Sequence, residues 1–228
     1  SSSSFAVGLL HALHTLKGEY ISKGNLADEA IHLEQNLINE NVGSQDQILT
    51  AHGGFNRVKF NPDGNHVVEP IIIPNERITE LQNQLLLFYT GISRFASDVA
   101  KSQIDNFKER ESVIQEMQQM VPEAMSILCN SSTNINEFGK LLNEGWKKKR
   151  SLSDQVTNNE IDEMYQHAVS CGADGGKLLG AGGGGFLLIF AQPENHQRIA
   201  QGLKGLLRVP FQFENSGSRV VVFDPSMK

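Results

Sequence analysis

Lys177 to Phe190 reads KLLGAGGGGFLLIF, with four consecutive glycines, Gly182 to Gly185, between two strongly apolar runs. A flexible linker would be flanked by Ser, Pro or charge, whereas here Leu178 and Leu179 lead in and Phe186 to Phe190 lead out. The exit has the pattern of a buried strand. Successive glycines remove every Cβ, permit φ > 0 and let main-chain N–H groups come close to an anion. The segment reads as a phosphate-binding turn wedged into a core.

Several glycine motifs compete for that turn. Gly180, Gly182 and Gly185 satisfy G-x-G-x-x-G, yet a dinucleotide fingerprint follows a strand and opens a helix. The sequence predicts a helix before this turn and a strand after it. A protein-kinase glycine loop needs V-A-I-K, H-R-D and D-F-G downstream, and a P-loop needs Lys-Ser/Thr after its glycines. None of these is present, since Gly176-Lys177 runs on into Leu178. A different kind of phosphate loop remains.

Working outward, NNEIDEMYQHAVSCGA is a helix that Asn158 or Asn159 can cap and that ends near Gly172. PENHQRIAQGLKGLL follows the glycine turn and its strand as a helix with Pro193 in its first turn, and FQF and RVVVF read as closing strands. LLLFYTG, from Leu85 to Gly91, is another buried strand. From Ser93 to about Leu142 the pattern is helical, with a break expected at Pro122. Upstream, FAVGLLHALHTL and Asn25 to Asn39 are amphipathic helices. A polar loop with Gly43 and Asp46 comes next, then a hairpin whose turn is Asn61-Pro62-Asp63-Gly64. This order predicts an α+β chain whose C-terminal part, from residue 81 to 228, is a split βαβ domain with added helices. Residues 1–80 precede it with the serine run, two helices, the polar loop and the hairpin.

The chain has 228 residues, 39% hydrophobic and 20% charged, which suits a globular protein with a core. A net charge of −6 argues against a general nucleic-acid surface, and no apolar run approaches the roughly 20 residues of a membrane span. A cytoplasmic protein is the expectation. Cys129 and Cys171 are too few for a disulfide scaffold, and the seven histidines lack paired metal spacing. The chain opens on Ser1, Ser2, Ser3 and Ser4 with no basic segment of a secretory signal before the apolar run. Hydroxyls at a helix start cap its N–H groups, and the same end attracts phosphate. On the serines alone, capping is the simpler account.

These segments resemble the GHMP small-molecule kinases, named for galactokinase, homoserine kinase, mevalonate kinase and phosphomevalonate kinase. Lys177 to Phe186 is similar to their third motif, K-L-x-G-A-G-G-G-G, and Ser1 to Ser4 to the serine end of their second. GWKKKRSLSDQVTN, LLLFYTGISRFASDVA and IDEMYQHAVSCGADGGKLLGAGGGGFLLIF look most like the members that phosphorylate the anomeric oxygen of D-glycero-D-manno-heptose 7-phosphate. The family's first motif and the glycines of its second are expected upstream of Ser1, and without them weak ATP binding is expected.

The resemblance implies a GHMP-kinase-like two-domain fold, in which residues 1–80 are the remainder of an incomplete N-terminal catalytic domain and 81–228 the C-terminal domain with the glycine-rich loop, with ATP and Mg²⁺ as cofactors and a sugar phosphate as substrate. By it, Asp46 is the carboxylate that accepts or orients the sugar hydroxyl proton, and Glu34 and Ser2 hold Mg²⁺. Ser1, Ser2, Ser3, Gly182, Gly183 and Gly184 bind the triphosphate, converging on it from opposite sides. Phosphoryl transfer is mainly positioning and charge neutralisation, which one carboxylate and a hard cation on oxygen ligands supply. Taken alone, Glu34 reads equally as a solvated helix charge and Asp46 as a turn aspartate. Lys177 is either a substrate contact or a surface lysine. Lys149 and Arg150, in a basic run that is otherwise a solvated helix end, are candidate anchors for the 7-phosphate because guanidinium suits phosphate bidentately. Arg94 competes with them. A fucose or other hexose 1-kinase and a non-catalytic sugar- and ATP-binding sensor are the rival readings. No nucleic-acid or membrane partner is expected, and a homodimer is compatible with this assignment.

Overall fold

The computed structural model describes residues 2–93 and 95–225. The chain divides into two compact units, Ser1–Ile72 with Phe213–Lys228, and Ile73–Gln212.

The first unit is three helices and a hairpin. Helix α1 spans Ser2–Lys17, and α2, Lys23–His32, is capped by Ser22, whose side chain accepts from the Asn25 N–H. Helix α2 continues into a π-helical turn, Leu33–Leu37, and α3 follows at Gln45–His52. Strands β1 (Asn56–Phe60) and β2 (His66–Pro70) pair antiparallel, with Val58 opposite Val68. Their turn is held by Asp63, which accepts from the Asn65 N–H at 3.0 Å, and by Gly64 at φ 85°. Val7, Leu26, Ala30, Ile48 and Ala51 form the core. Burying each larger aliphatic side chain contributes roughly 1.5–3 kcal/mol.

The second unit is a four-stranded antiparallel sheet under helices. Helix α4 (Asn75–Asn83) leads into β3 (Leu85–Tyr89), then α5 (Ala96–Asn106), α6 (Glu111–Cys129), α7 (Asn136–Arg150) and α8 (Asn159–Ser170). Strand β4 (Ala173–Leu178), the glycine turn, β5 (Phe186–Ala191), α9 (His196–Gly202) and β6 (Leu207–Arg208) complete it. The strands lie in the order β4-β5-β3-β6, so the first strand of the unit sits between its third and fourth, as a split βαβ fold requires. Leu86, Phe88, Leu187, Ile189 and Ile199 fill the core with Trp146 and Tyr165.

Three local expectations are corrected. The glycine turn is entered from a strand, β4, which follows α8 directly. A Cβ on Gly175 would stand 2.0 Å from the Gly139 carbonyl oxygen, so glycine is what allows α7 to settle on β4. Pro122 does not break α6, which runs unbroken from Glu111 to Cys129. It sits on the exposed side, where the carbonyl it frees can meet water. FQF and RVVVF are not strands: β6 is the short pair Leu207–Arg208, and residues 219–223 have no strand partner among the described residues. Val221 and Val222 are each 79% exposed. Among the described residues no helix is long and apolar enough to cross a membrane.

Candidate active site

In the first unit the site is built where three segments meet. Glu34 lies in the π-helical turn, an irregularity frequent at functional positions, and is only 4% exposed. Ser3, on the first turn of α1, donates its hydroxyl to Glu34 Oε2 at 3.0 Å. Gln47, in α3, donates from Nε2 to the same oxygen. The sequence reading gave Ser2 to Glu34. Successive helix positions are about 100° apart, and the structure brings Ser3 to the carboxylate while Ser2 is exposed. Ser1 and Arg94 lie outside the described residues.

Asp46 occupies the first turn of α3, exposed, immediately before the buried Gln47. A carboxylate there is favoured by the helix dipole. The ligand oxygens around Glu34 are its own carboxylate and the Ser3 hydroxyl; Gln47 turns its NH₂ to that carboxylate, and its Oε1 is buried with no hydrogen-bond partner among the described residues. Oxygen-only donors with a single carboxylate suit Mg²⁺, which takes much of its shell from water and phosphate. Among the described residues no group of three or more His, Cys, Asp or Glu could hold a metal. Gln47 was missed from sequence; the available signal was a polar residue at helical spacing with the apolar Ile48 and Ala51.

In the second unit the glycine turn is fixed by its carbonyls and by part of its amides. Gln103 donates to the Ala181 carbonyl at 2.9 Å, Lys149 to that of Gly180, and Thr90 Oγ1 to that of Gly185 at 2.8 Å. The Gly183 N–H donates to Val156 at 2.9 Å, and the Gly185 N–H to Ile92 at 3.0 Å. Among the described residues the N–H groups of Gly182 and Gly184 donate no hydrogen bond. Gly182 is buried and Gly184 half-buried, and both amides are left without a protein acceptor among the described residues.

The remaining candidates have other occupations. Arg150 pairs with Asp162 at 2.5 Å, and Asp162 also accepts from Thr157 at 2.7 Å. Lys149 is bonded to the glycine turn itself. Lys177 is half-buried on β4, in register with Leu188. Gly183 also lines a cavity of about 500 Å³ with Phe95, Asp98, Asp154 and Asn158. Its described lining carries the carboxylates of Asp98 and Asp154 and the side-chain amide of Asn158.

Comparison with known proteins gives this geometry a family. A profile described as "GHMP kinases N terminal domain" matches residues 1–54, and one described as "GHMP kinases C terminal" matches residues 124–206. The chain belongs to the GHMP kinases. As a GHMP kinase it is 29% identical over 216 residues to a D-glycero-alpha-D-manno-heptose 7-phosphate kinase of Campylobacter jejuni, covering 89% of this chain and 60% of that protein. It is 27% identical to a bifunctional fucokinase/GDP-fucose pyrophosphorylase of Arabidopsis thaliana, over 90% of this chain and 20% of that protein. A solved structure described as a "Putative Sugar Kinase from Campylobacter jejuni" superposes with a TM-score of 0.69. It shares 26% identity and covers 95% of this chain and 62% of that one. The chain thus spans about 60% of the length of the heptose kinase it matches.

Proposed function

We propose that this GHMP kinase serves ATP-dependent phosphorylation of the anomeric hydroxyl of a sugar, with D-glycero-D-manno-heptose 7-phosphate as substrate and the 1,7-bisphosphate as product. The observation that carries this reading is the buried Glu34, held by Ser3 and Gln47 and adjoined by Asp46 on α3. Asp46 takes the proton of the anomeric hydroxyl on a carboxylate oxygen. The sugar oxygen then bonds to the γ-phosphorus as the bond to the β-phosphate oxygen breaks and ADP leaves. Glu34 and Ser3 are the residues that would hold Mg²⁺, which neutralises phosphate charge when bound. The free amides of Gly182 and Gly184 receive phosphoryl oxygens, and oriented donors of this kind cost no reorganisation during reaction. The reading places the protein in the cytoplasm, where ATP is supplied, and needs neither nucleic acid nor a membrane.

The identity to the Campylobacter jejuni heptose kinase supports the phosphorylated substrate. A second reading, a fucose or hexose 1-kinase, is favoured by the fucokinase match and by the cavity at Gly183, whose described lining carries Asp98 and Asp154. Measuring ADP release with heptose 7-phosphate, fucose and other hexoses separates the two. In the phosphate-anchor reading, Arg150→Ala raises KM for the phosphorylated sugar far more than for ATP. Asp46→Asn should lower kcat by about 10²- to 10⁴-fold with KM for ATP little changed. Equal ADP release by the wild type and Asp46→Asn would mean a sensor rather than a kinase.

A further inference from the structure

Gln47 is fully buried, yet half of its amide is unsatisfied. Its two ends are not interchangeable. A carboxylate only accepts hydrogen bonds, so the end facing Glu34 Oε2 must be the NH₂, and Oε1 is thereby turned away from Glu34. Left alone, a buried carbonyl oxygen without a donor is destabilising, because it has given up its hydrogen bonds to water. Buried polar atoms of this kind call for a missing donor, such as an ordered water. Glu34 is incomplete as well. Among the described residues both of its donors are neutral and both reach Oε2, no cation stands beside this buried carboxylate, and Oε1 lies outside these two bonds.

We infer that Gln47 is a positioning residue for a hard divalent cation at Glu34. It pins Oε2, so that the carboxylate meets the cation through Oε1, and its own Oε1 accepts a hydrogen bond from a water of the cation's shell. The inference deepens the kinase reading and rests on it for the identity of the cation. Because Gln47 follows Asp46 on α3, one helix carries the proton acceptor on its exposed side and the holder of the metal carboxylate on its buried side.

The test uses the 228-residue chain with Mn²⁺ as the probe. Paramagnetic broadening of assigned amide resonances locates the ion, and electron spin resonance measures its affinity. Broadening is expected at Ser3, Glu34 and Gln47, with affinity reduced about tenfold or more in Gln47→Leu. A merely structural glutamine would lower Tm in Gln47→Leu and leave Mn²⁺ affinity alone. Here the lost donor and the removed orphan oxygen offset one another, so Tm should change little while affinity falls. Gln47→Glu guards against a leucine variant that fails to fold. Its second carboxylate should make Tm lower without metal and give a larger rise on adding Mn²⁺ than the wild type shows.

Unchanged Mn²⁺ affinity in folded Gln47→Leu, no added metal response in Gln47→Glu, or broadening centred elsewhere would overturn the inference. Mn²⁺ held at these three residues in a protein that transfers no phosphoryl group would leave it standing and sink the kinase reading. Transfer whose Mg²⁺ dependence is the same in Gln47→Leu and wild type would do the reverse.

Discussion

Two pairs of glycines lie within ten residues of each other, and they are glycines for different reasons. In β4, a Cβ on Gly175 would meet the Gly139 carbonyl at 2.0 Å and one on Gly176 the Leu188 carbonyl at 2.5 Å. In the turn, a Cβ on Gly182 would meet the Val156 carbonyl at 2.7 Å and one on Gly184 the Ile92 carbonyl at 2.4 Å. Every one of the four touches backbone oxygen. The difference is in the neighbours and in the N–H groups. Gly175 is pressed by a helix seated on a core strand, whereas Gly182 and Gly184 sit in a turn where, among the described residues, their own N–H groups donate no hydrogen bond while those of Gly183 and Gly185 do. The same absence of a side chain therefore serves helix-on-strand packing in one pair and, in the other, a close turn that leaves two N–H groups without a protein acceptor among the described residues.

Alanine substitutions sharpen that contrast. Gly175→Ala should be the most damaging, because α7 and β4 cannot both stay in place; overpacking of this kind costs about 3 kcal/mol or more, read as a large fall in Tm. Gly184→Ala should cost about 1–3 kcal/mol, since a turn can shift where a core strand cannot. Its larger effect should be on KM for ATP, and an unchanged KM would break the comparison. Gly180→Ala should be milder. Nothing stands within 4 Å of a Cβ there, and only the φ of +76° opposes it, a strain of about 1–2 kcal/mol.

Asp174, beside Gly175 in β4, should give the smallest change. Burial pushes its carboxyl up, against the lowering influence of the Gln192 side chain and the Lys140 charge. With the folded value above the ordinary 3.8, the folded protein holds more protons between the two values, so stability falls as pH rises through the folded value. Asp174→Asn should therefore raise Tm at neutral pH, and the gain should shrink below pH 3.8, as thermal melts across pH would show.

Much of the fold was legible because local chemistry and tertiary structure agree. The NPDG turn sets the hairpin, Asn158 caps α8 as its position predicts, and LLLFY forms β3. Strand β4 was hidden because ADGGKL has no β-branched residue, and its two glycines take their meaning from α7 and β5, which are distant in sequence or lie across a turn. Pro122 misled because its helix turns it to solvent. At the site, Glu34 and Asp46 were visible only through resemblance. Gln47 was invisible because an amide on a buried helix face looks like a flaw in an apolar pattern until Glu34 is placed beside it.

The tail from Arg219 to Phe223 carries a different consequence. It is β-prone in composition but joins no ladder among the described residues, and it lines a cavity of about 450 Å³ with Gly8, His11 and Leu16 of α1. Leu16 and Phe5 on that helix are also strongly exposed. Unpaired backbone beside apolar side chains is a template for any extended chain that drifts near. Left bare at high concentration, this edge is where clumping would begin, and it would worsen in the sulfate-rich solutions that strengthen apolar association.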